Sequence, residues 1–268
     1  MQLAAAIPPD DRGLQYGEGL FETLRVQDHH APLLARHQAR MLAGCIRLGL
    51  PVSEAEVRAR LDAAVAASEP GARVVKVMVT GGSAGRGYAP ARRARPRWVV
   101  QEFPLTLRPP ALYRSGLVTG LCCQRLARQP ALAGIKHLNR LEQVAAAREV
   151  LEHGWDEGLM LDSLGRPVEW TSMNLFARFG DRLWTPALAH QGVSGVLRSW
   201  LLEHWLPGSP LTADHRPRPL ADLRHADELF AGNSVAGFLP VRKLAVWRWD
   251  KPELVLSLQH TFSGLFGH

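Results

Sequence analysis

The chain has 268 residues, 46% of them hydrophobic, 21% charged and 7% aromatic, which is ample apolar material for a core and too little charge bias for disorder. With 32 Lys and Arg against 25 Asp and Glu it carries a formal charge of +7, which suits nucleic acid, a membrane surface or an acidic small molecule without choosing among them. No apolar run approaches the roughly 20 residues of a membrane span, residues 1–11 lack the basic head and apolar block of a signal peptide, and three cysteines make no disulfide framework, so a cytoplasmic protein with reduced thiols is expected.

Residues 20–26 read as a strand and 33–48 as a helix, with Leu34, His37/Gln38, Met41, Cys45 and Leu48 close to the helical period. Ser53-Glu54-Ala55-Glu56 is a capping-box pattern opening a second helix, with Val57, Leu61 and Val65 on one stripe. Two β-branched runs follow, 74–80 and 98–103. Between them lies Gly81-Gly82-Ser83-Ala84-Gly85-Arg86-Gly87-Tyr88, whose glycines let the backbone pass close to another group. Pro104, Pro109 and Pro110 then punctuate a stretch without periodicity. A small domain over 1–108, a linker over 109–113 and a larger domain over 114–268 are therefore expected.

The second half opens with a strand near 116–123 and an irregular stretch to 136, then a helix over 138–153 stopped by Gly154. Strands over 158–162, 168–179 and 183–185 read as an antiparallel meander. A helix begins near Val196, strands are expected at 228–231 and 241–246, and a last amphipathic stretch covers 253–266. The fold class is α+β in two domains, not a regular βαβ alternation.

Only Lys76, Lys136, Lys243 and Lys251 could supply an amine nucleophile, because the other basic residues are Arg. Lys136 stands in the apolar run Leu132-Ala133-Gly134-Ile135-Lys136-His137-Leu138 just before a predicted helix. Burial and the positive helix end both disfavour the ammonium form, which suits Schiff-base chemistry. The same lysine also fits a side chain that snorkels its charge outward. Gly192-Val193-Ser194-Gly195-Val196-Leu197-Arg198 is a glycine-bracketed turn whose amides could converge on a phosphate, or a plain N-capped loop. Gly232-Asn233-Ser234 is a second small-residue turn with a hydroxyl. Glu169, in an otherwise strand-like run, needs a cationic partner such as a pyridinium nitrogen if it faces inward, and none if it faces solvent. Arg40 shares the polar side of its helix with Arg36 and Arg47. Arg92-Arg93-Ala94-Arg95-Pro96-Arg97 reads as a solvated loop, since no aromatic platform or recognition motif accompanies it, and no nucleic-acid partner is expected. No HExxH, CxxC or GxSxG pattern occurs, which disfavours a metal centre or a serine hydrolase.

In order, these pieces resemble the class IV (fold type IV) pyridoxal-phosphate-dependent family. Asp11-Arg12-Gly13 with Tyr16-Gly17-Glu18-Gly19-Leu20-Phe21-Glu22-Thr23-Leu24-Arg25 is similar to its opening strand, and His37-Gln38-Ala39-Arg40-Met41-Leu42 to its phosphate-arginine helix. Lys136, Glu169 with Asn174-Leu175-Phe176, Gly192 to Arg198, and Asn233-Ser234 with Pro240-Val241 follow. The chain departs from the pattern in having little before Asp11 for the usual first hairpin. Gly85-Arg86-Gly87-Tyr88 and the stretch from Leu132 through Lys136-His137-Leu138-Asn139-Arg140 to Gln143 are similar to the family's lyases acting on 4-amino-4-deoxychorismate. The resemblance implies a small N-terminal domain and a larger cofactor-binding domain with a mixed and antiparallel sheet. It implies pyridoxal 5'-phosphate in Schiff-base linkage to Lys136, Glu169 on the pyridine nitrogen, and Arg40, Val193, Ser194 and Ser234 around the phosphate. Thr23 would act on the departing group as a catalytic residue and, with Arg86, would meet the anionic small-molecule substrate. The implied reaction yields 4-aminobenzoate and pyruvate for folate biosynthesis, in a homodimer with no membrane partner. A D-amino-acid or branched-chain amino-acid aminotransferase of the same family is the alternative.

Overall fold

Asp11 caps a short helix α1 (Arg12–Tyr16), its carboxylate accepting from the Gly13 N–H at 2.8 Å. The computed structural model describes residues 7–83, 87–89 and 95–267. It divides into one unit of Met1–Leu105 with Ile135–Arg140, and a second of Thr106–Gly134 with Leu141–His268.

The first unit holds β1 (Gly19–Gln27), α2 (Leu34–Leu48), α3 (Glu54–Ala66), β2 (Ala72–Thr80) and β3 (Arg97–Pro104). The three strands form an antiparallel sheet in the order β1-β2-β3. Strand alternation sends Leu20, Leu24, Val26, Val75, Val77 and Val79 to one face, where they are buried with Met41, Cys45, Val57, Leu61 and Val65 of α2 and α3. Each such side chain contributes roughly 1.5–3 kcal/mol on burial. The expected capping of α3 is present, with Ser53 Oγ accepting from the Glu56 N–H at 3.1 Å.

The free edge of β1 is taken by residues 136–138. Phe21 N–H donates to the Lys136 carbonyl and Leu138 N–H to the Gly19 carbonyl, both at 3.0 Å, around an antiparallel bridge between Leu20 and His137. This pairing assigns 135–140 to the first unit. It also delays the helix expected over 138–153, because a backbone committed to a sheet edge cannot take helical dihedrals.

The second unit holds α4 (Pro110–Ser115), β4 (Leu117–Leu126), α5 (Leu141–His153), β5 (Glu157–Asp162), β6 (Pro167–Trp170), β7 (Asn174–Phe179), β8 (Arg182–Trp184), α6 (Val196–Trp200), β9 (Thr212–Asp214), β10 (Glu228–Asn233), β11 (Gly237–Leu244), β12 (Trp247–Arg248) and α7 (Glu253–Gly264). One sheet runs β10-β11-β4-β5-β6-β7-β8-β9, with β10 also pairing β7 and β12 pairing β11. The β5–β8 pairings are antiparallel as expected, whereas β11–β4, β4–β5 and β8–β9 are parallel.

Two expectations bear on the chain's course. Residues 109–113, expected to link the two domains, lie in the second unit and run into α4, which opens on Pro110 at the position where proline's missing N–H costs nothing. The single strand over 168–179 is a hairpin. Buried Glu157 turns the chain at 171–173, its carboxylate accepting from the Thr171 N–H and hydroxyl and from the Ser172 hydroxyl.

Candidate active site

In the first unit the expected residues Thr23 and Lys136 lie on the sheet face opposite α2 and α3. Phe21 and Thr23 occupy this face of β1, and the bridge opposite Leu20 turns Lys136 to the same face as Phe21. The Lys136 Nζ lies 4.3 Å from the centroid of the Phe21 ring. Lys136 is half-buried, and α5 begins only at Leu141, so the helix-dipole contribution expected for this lysine is absent. Its backbone is instead held by β1.

Glu22 points the other way, into the helical layer. It is 1% exposed, and its carboxylate accepts from Arg40 Nε at 2.8 Å and from Arg40 Nη2, with His37 Nδ1 at 2.6 Å. Burial alone would raise its pKa; the Arg40 charge and the hydrogen bonds from Arg40 and His37 outweigh that and carry it down to about 2. Burial likewise pushes the His37 pKa down, against the pull of Glu22. Arg40 is thus an ion-paired side chain and not the solvated charge that its place on the helix permits.

The Asp11-Arg12-Gly13 motif acts as a tether in this unit. Asp11 accepts from Thr80 Oγ1 at 2.9 Å and Arg97 Nε at 3.1 Å, so Arg97 of the basic cluster is an ion-pair member. Arg12 donates to the carbonyls of Gly87, Tyr88 and Ala89 and pairs with Glu18. Arg86 and residues 92–94 of the basic loop lie outside the described residues.

In the second unit Glu169 faces inward at 3% exposure, which decides between the two orientations left open by strand alternation. It accepts from the Val193 N–H at 2.8 Å and from Gln143 Nε2 at 3.2 Å. Gly192 has φ +79°, and a Cβ there would stand 3.0 Å from a Glu169 carboxylate oxygen, so the turn closes on the carboxylate only with glycine. Asn174 Nδ2 donates to the Val193 carbonyl at 2.8 Å, and the Ser194 N–H donates to the Gly134 carbonyl at 3.0 Å.

The Val193 and Ser194 amides expected to converge on an anion are therefore both bonded within the protein. Two other groups in this unit suit an anion. Partly buried Arg198 donates from Nε to Thr185 Oγ1 and from Nη2 to the Pro186 carbonyl, both neutral acceptors and both at 3.1 Å, and burial pulls its pKa down to about 10. The half-buried Ser234 hydroxyl has no hydrogen-bond partner among the described residues; its turn is held by Asn233 Oδ1, which accepts from the Val235 and Ala236 N–H groups.

Residues 19–244 match the amino-transferase class IV family. The chain belongs to that family. This class IV chain is 33% identical over 236 residues to an aminodeoxychorismate lyase of Vibrio harveyi, covering 88% of this chain and 86% of that one. The crystal structure of 4-amino-4-deoxychorismate lyase from Pseudomonas aeruginosa is similar at a TM-score of 0.92 and 42% identity, over 98% of this chain and 96% of that one. A hypothetical aminotransferase from Mycobacterium tuberculosis, in PLP-bound form, shares the fold at a TM-score of 0.82 and 20% identity, over 100% and 94% of the two chains.

The class IV chain distributes its expected residues over both units: Thr23, Arg40 and Lys136 belong to the first, Glu169, Val193, Ser194 and Ser234 to the second. Sequence reading missed Glu22, His37 and Arg198. Glu22 was detectable as an acid at an inward position between Leu20 and Leu24 of an alternating strand. Arg198 left no signal beyond its place in a helix that follows a glycine turn. Among the described residues no His, Cys, Asp or Glu cluster could hold a metal ion, and no helix is long and apolar enough to cross a membrane.

Proposed function

We propose that the chain is an aminodeoxychorismate lyase that converts 4-amino-4-deoxychorismate to 4-aminobenzoate and pyruvate, using pyridoxal 5'-phosphate held by Lys136. The observation carrying the reading is the 42% identity to a lyase of that specificity over 98% of this chain. The residues suit the cofactor. Glu169 is a buried carboxylate for the pyridine nitrogen, and Arg198 is a cation whose neutral partners leave its charge to be met by a phosphate. The Ser234 hydroxyl and the Ser194 side chain would add to that phosphate site, with Val193 fixing Glu169 through its amide. Arg40, whose guanidinium is held by Glu22, is the phosphate ligand expected from the first unit.

Once bound, the cofactor supplies the electron sink that no protein side chain offers. Lys136 would hold the cofactor, and its amine would take the proton from the carbon bearing nitrogen. Glu169 would pair with the ring nitrogen and favour its protonated form. The Thr23 hydroxyl, on the same sheet face as Phe21 and Lys136, donates to the ether oxygen as the enolpyruvyl group departs. Arg86 would meet a substrate carboxylate.

The reading extends to a cytoplasmic homodimer acting on an anionic small molecule, supported by the formal charge of +7 and by Leu141 and Leu151, each 82% exposed on α5. Purified cofactor-loaded protein mixed with enzymatically generated aminodeoxychorismate is expected to release 4-aminobenzoate and pyruvate in equal amounts, with both lost in Lys136→Ala. Release of neither product, together with amino-group transfer from D- or branched-chain amino acids, would replace the lyase by an aminotransferase.

A further inference from the structure

The second unit carries a cavity of about 180 Å³ that the reaction outlined above does not use, between the turn joining β5 to β6, the segment 186–191 and the segment 215–218. Arg128, Arg166, Arg216, Arg218, His190 and His215 line it. Pro167, Pro186 and Pro217 supply apolar wall. A space of this size suits a small molecule and not a macromolecule.

The acids near these cations are already engaged. Buried Asp162 accepts from the Leu164 and Arg166 N–H groups, from Arg166 Nε at 3.0 Å and Nη2 at 2.9 Å, and from Gln191 Nε2 at 3.3 Å. Asp214 accepts from the Arg216 N–H, Nε and Nη2 and from Arg218 Nη2, and Asp222 stands 4.0 Å from Arg218 Nη1. Arg128 comes no closer than 4.0 Å to Asp162, and among the described residues neither its guanidinium nor the His190 ring makes a hydrogen bond. Four guanidiniums thus stand against three carboxylates, with Arg128 the least compensated, before either histidine takes up a proton. Two residues of the wall also hold a buried polar atom without a partner, Gln191 Oε1 and Arg218 Nε. Buried polar atoms are ordinarily paired, so this wall is short of a partner as well as of negative charge.

We propose that this cavity binds a phosphate group, free or carried as a monoester on a short organic body. Phosphate carries between one and two negative charges near neutrality, which matches one uncompensated guanidinium and two imidazoles able to take up a proton. Arg128 offers the planar fork that phosphate oxygens accept from in pairs, His190 a second donor, and the prolines a surface for a carbon skeleton. The wall is also the segment that holds the groups assigned to the cofactor. His215 Nδ1 donates to the Thr185 carbonyl at 3.0 Å, and Arg198 donates to Thr185 Oγ1 and the Pro186 carbonyl. Gln191 leads directly into Gly192 and Val193, whose amide donates to Glu169. An anion bound between Arg128 and His190 therefore steadies the turn that closes on Glu169. The site holds for a lyase and for an aminotransferase alike.

Calorimetric titration of the cofactor-loaded holoenzyme with inorganic phosphate, glycerol 3-phosphate and acetate, at an ionic strength fixed with potassium chloride, tests the site. Loading fills the cofactor's own phosphate site beforehand. The wild type is expected to bind one phosphate per chain and to bind acetate, a monoanion, at least about tenfold more weakly. Arg128→Gln is expected to weaken phosphate about tenfold and His190→Gln about threefold, each with the wild-type melting temperature and cofactor absorbance. Tighter binding of glycerol 3-phosphate than of phosphate assigns the site to a monoester, and equal or weaker binding assigns it to free phosphate. Absence of phosphate binding in the wild type, acetate bound as tightly as phosphate, or phosphate affinity unchanged in both variants would overturn the proposal. The titrations need no turnover, so an inactive protein defeats the lyase reading and leaves this result standing.

Discussion

Glu22 holds Arg40 through Nε and Nη2 of its guanidinium while His37 stands on the same carboxylate, in a layer between β1 and α2. The strand residue on one side of Glu22 is Phe21 and on the other Thr23, so the backbone that carries the proposed reacting face also carries the buried ion pair.

Replacing Glu22 by Gln leaves the Arg40 charge without its acid. The cost expected for breaking a buried pair is ~3–5 kcal/mol, which lowers the melting temperature of the apoprotein by roughly 10 °C. The pH dependence has a defined sign. Because the folded pKa of about 2 lies below the ordinary value of 4.5, this stabilisation is complete above the unfolded value and is lost as pH falls through the folded one. Thermal melts between pH 7 and 3 check both points; a variant as stable as wild type at neutral pH would show that the pair contributes nothing.

His137 gives a second, separate pH effect. Burial first, and then the charge of Arg140, lowers its pKa from 6.5 to about 4, and its Nδ1 is buried without a partner. Below pH 6.5 the unfolded chain binds a proton that the folded chain refuses until about pH 4, so stability falls as pH falls through that window. His37 is shifted in the same direction. Urea midpoints measured from pH 7.5 to 4.5 are expected to decline in the wild type and to decline less in His137→Asn. Parallel curves for the two proteins would exclude this assignment.

Gly195→Ala tests the turn beside Glu169. The added Cβ would stand 1.8 Å from Asn174 Oδ1, so Asn174 must move and give up its 2.8 Å bond to the Val193 carbonyl. A loss of about 1–3 kcal/mol is expected, read as a fall of several degrees in the melting temperature. Weaker cofactor binding should accompany it, because the same turn carries the amide that fixes Glu169.

Arg198→Met separates a phosphate ligand from a structural cation. Removing a partly buried guanidinium that donates only to Thr185 Oγ1 and the Pro186 carbonyl should alter apoprotein stability little, while the cofactor dissociation constant rises about ten- to a hundredfold. Cofactor fluorescence titration and melts of the apoprotein measure the two effects independently. An unstable apoprotein with unchanged cofactor affinity would make Arg198 a scaffold residue.

Local chemistry accounts for what was legible in advance. The Ser53 cap, the β-branched runs that became β2 and β3, and the apolar stripe of α2 are each written in a few neighbouring residues, and neighbouring residues decide helix and strand starts. Lys136 stood out because lysine is rare in this chain and its surroundings are apolar. The hairpin at 171–173 was not legible, because the carboxylate that turns it, Glu157, is distant in sequence.

The sequence by itself determined the α+β character, most element positions, and the order of motifs that marks a class IV chain. The tertiary structure alone decided which way the polar side chains of those elements face. Alternation allowed Glu169 to point either way, and burial against the Val193 amide turned it inward. Pairing of 136–138 with the edge of β1 drew Lys136 out of the larger unit, and cross-strand register brought Lys76 opposite Thr23. Such relations depend on contacts between segments far apart in the chain, and no local propensity encodes them.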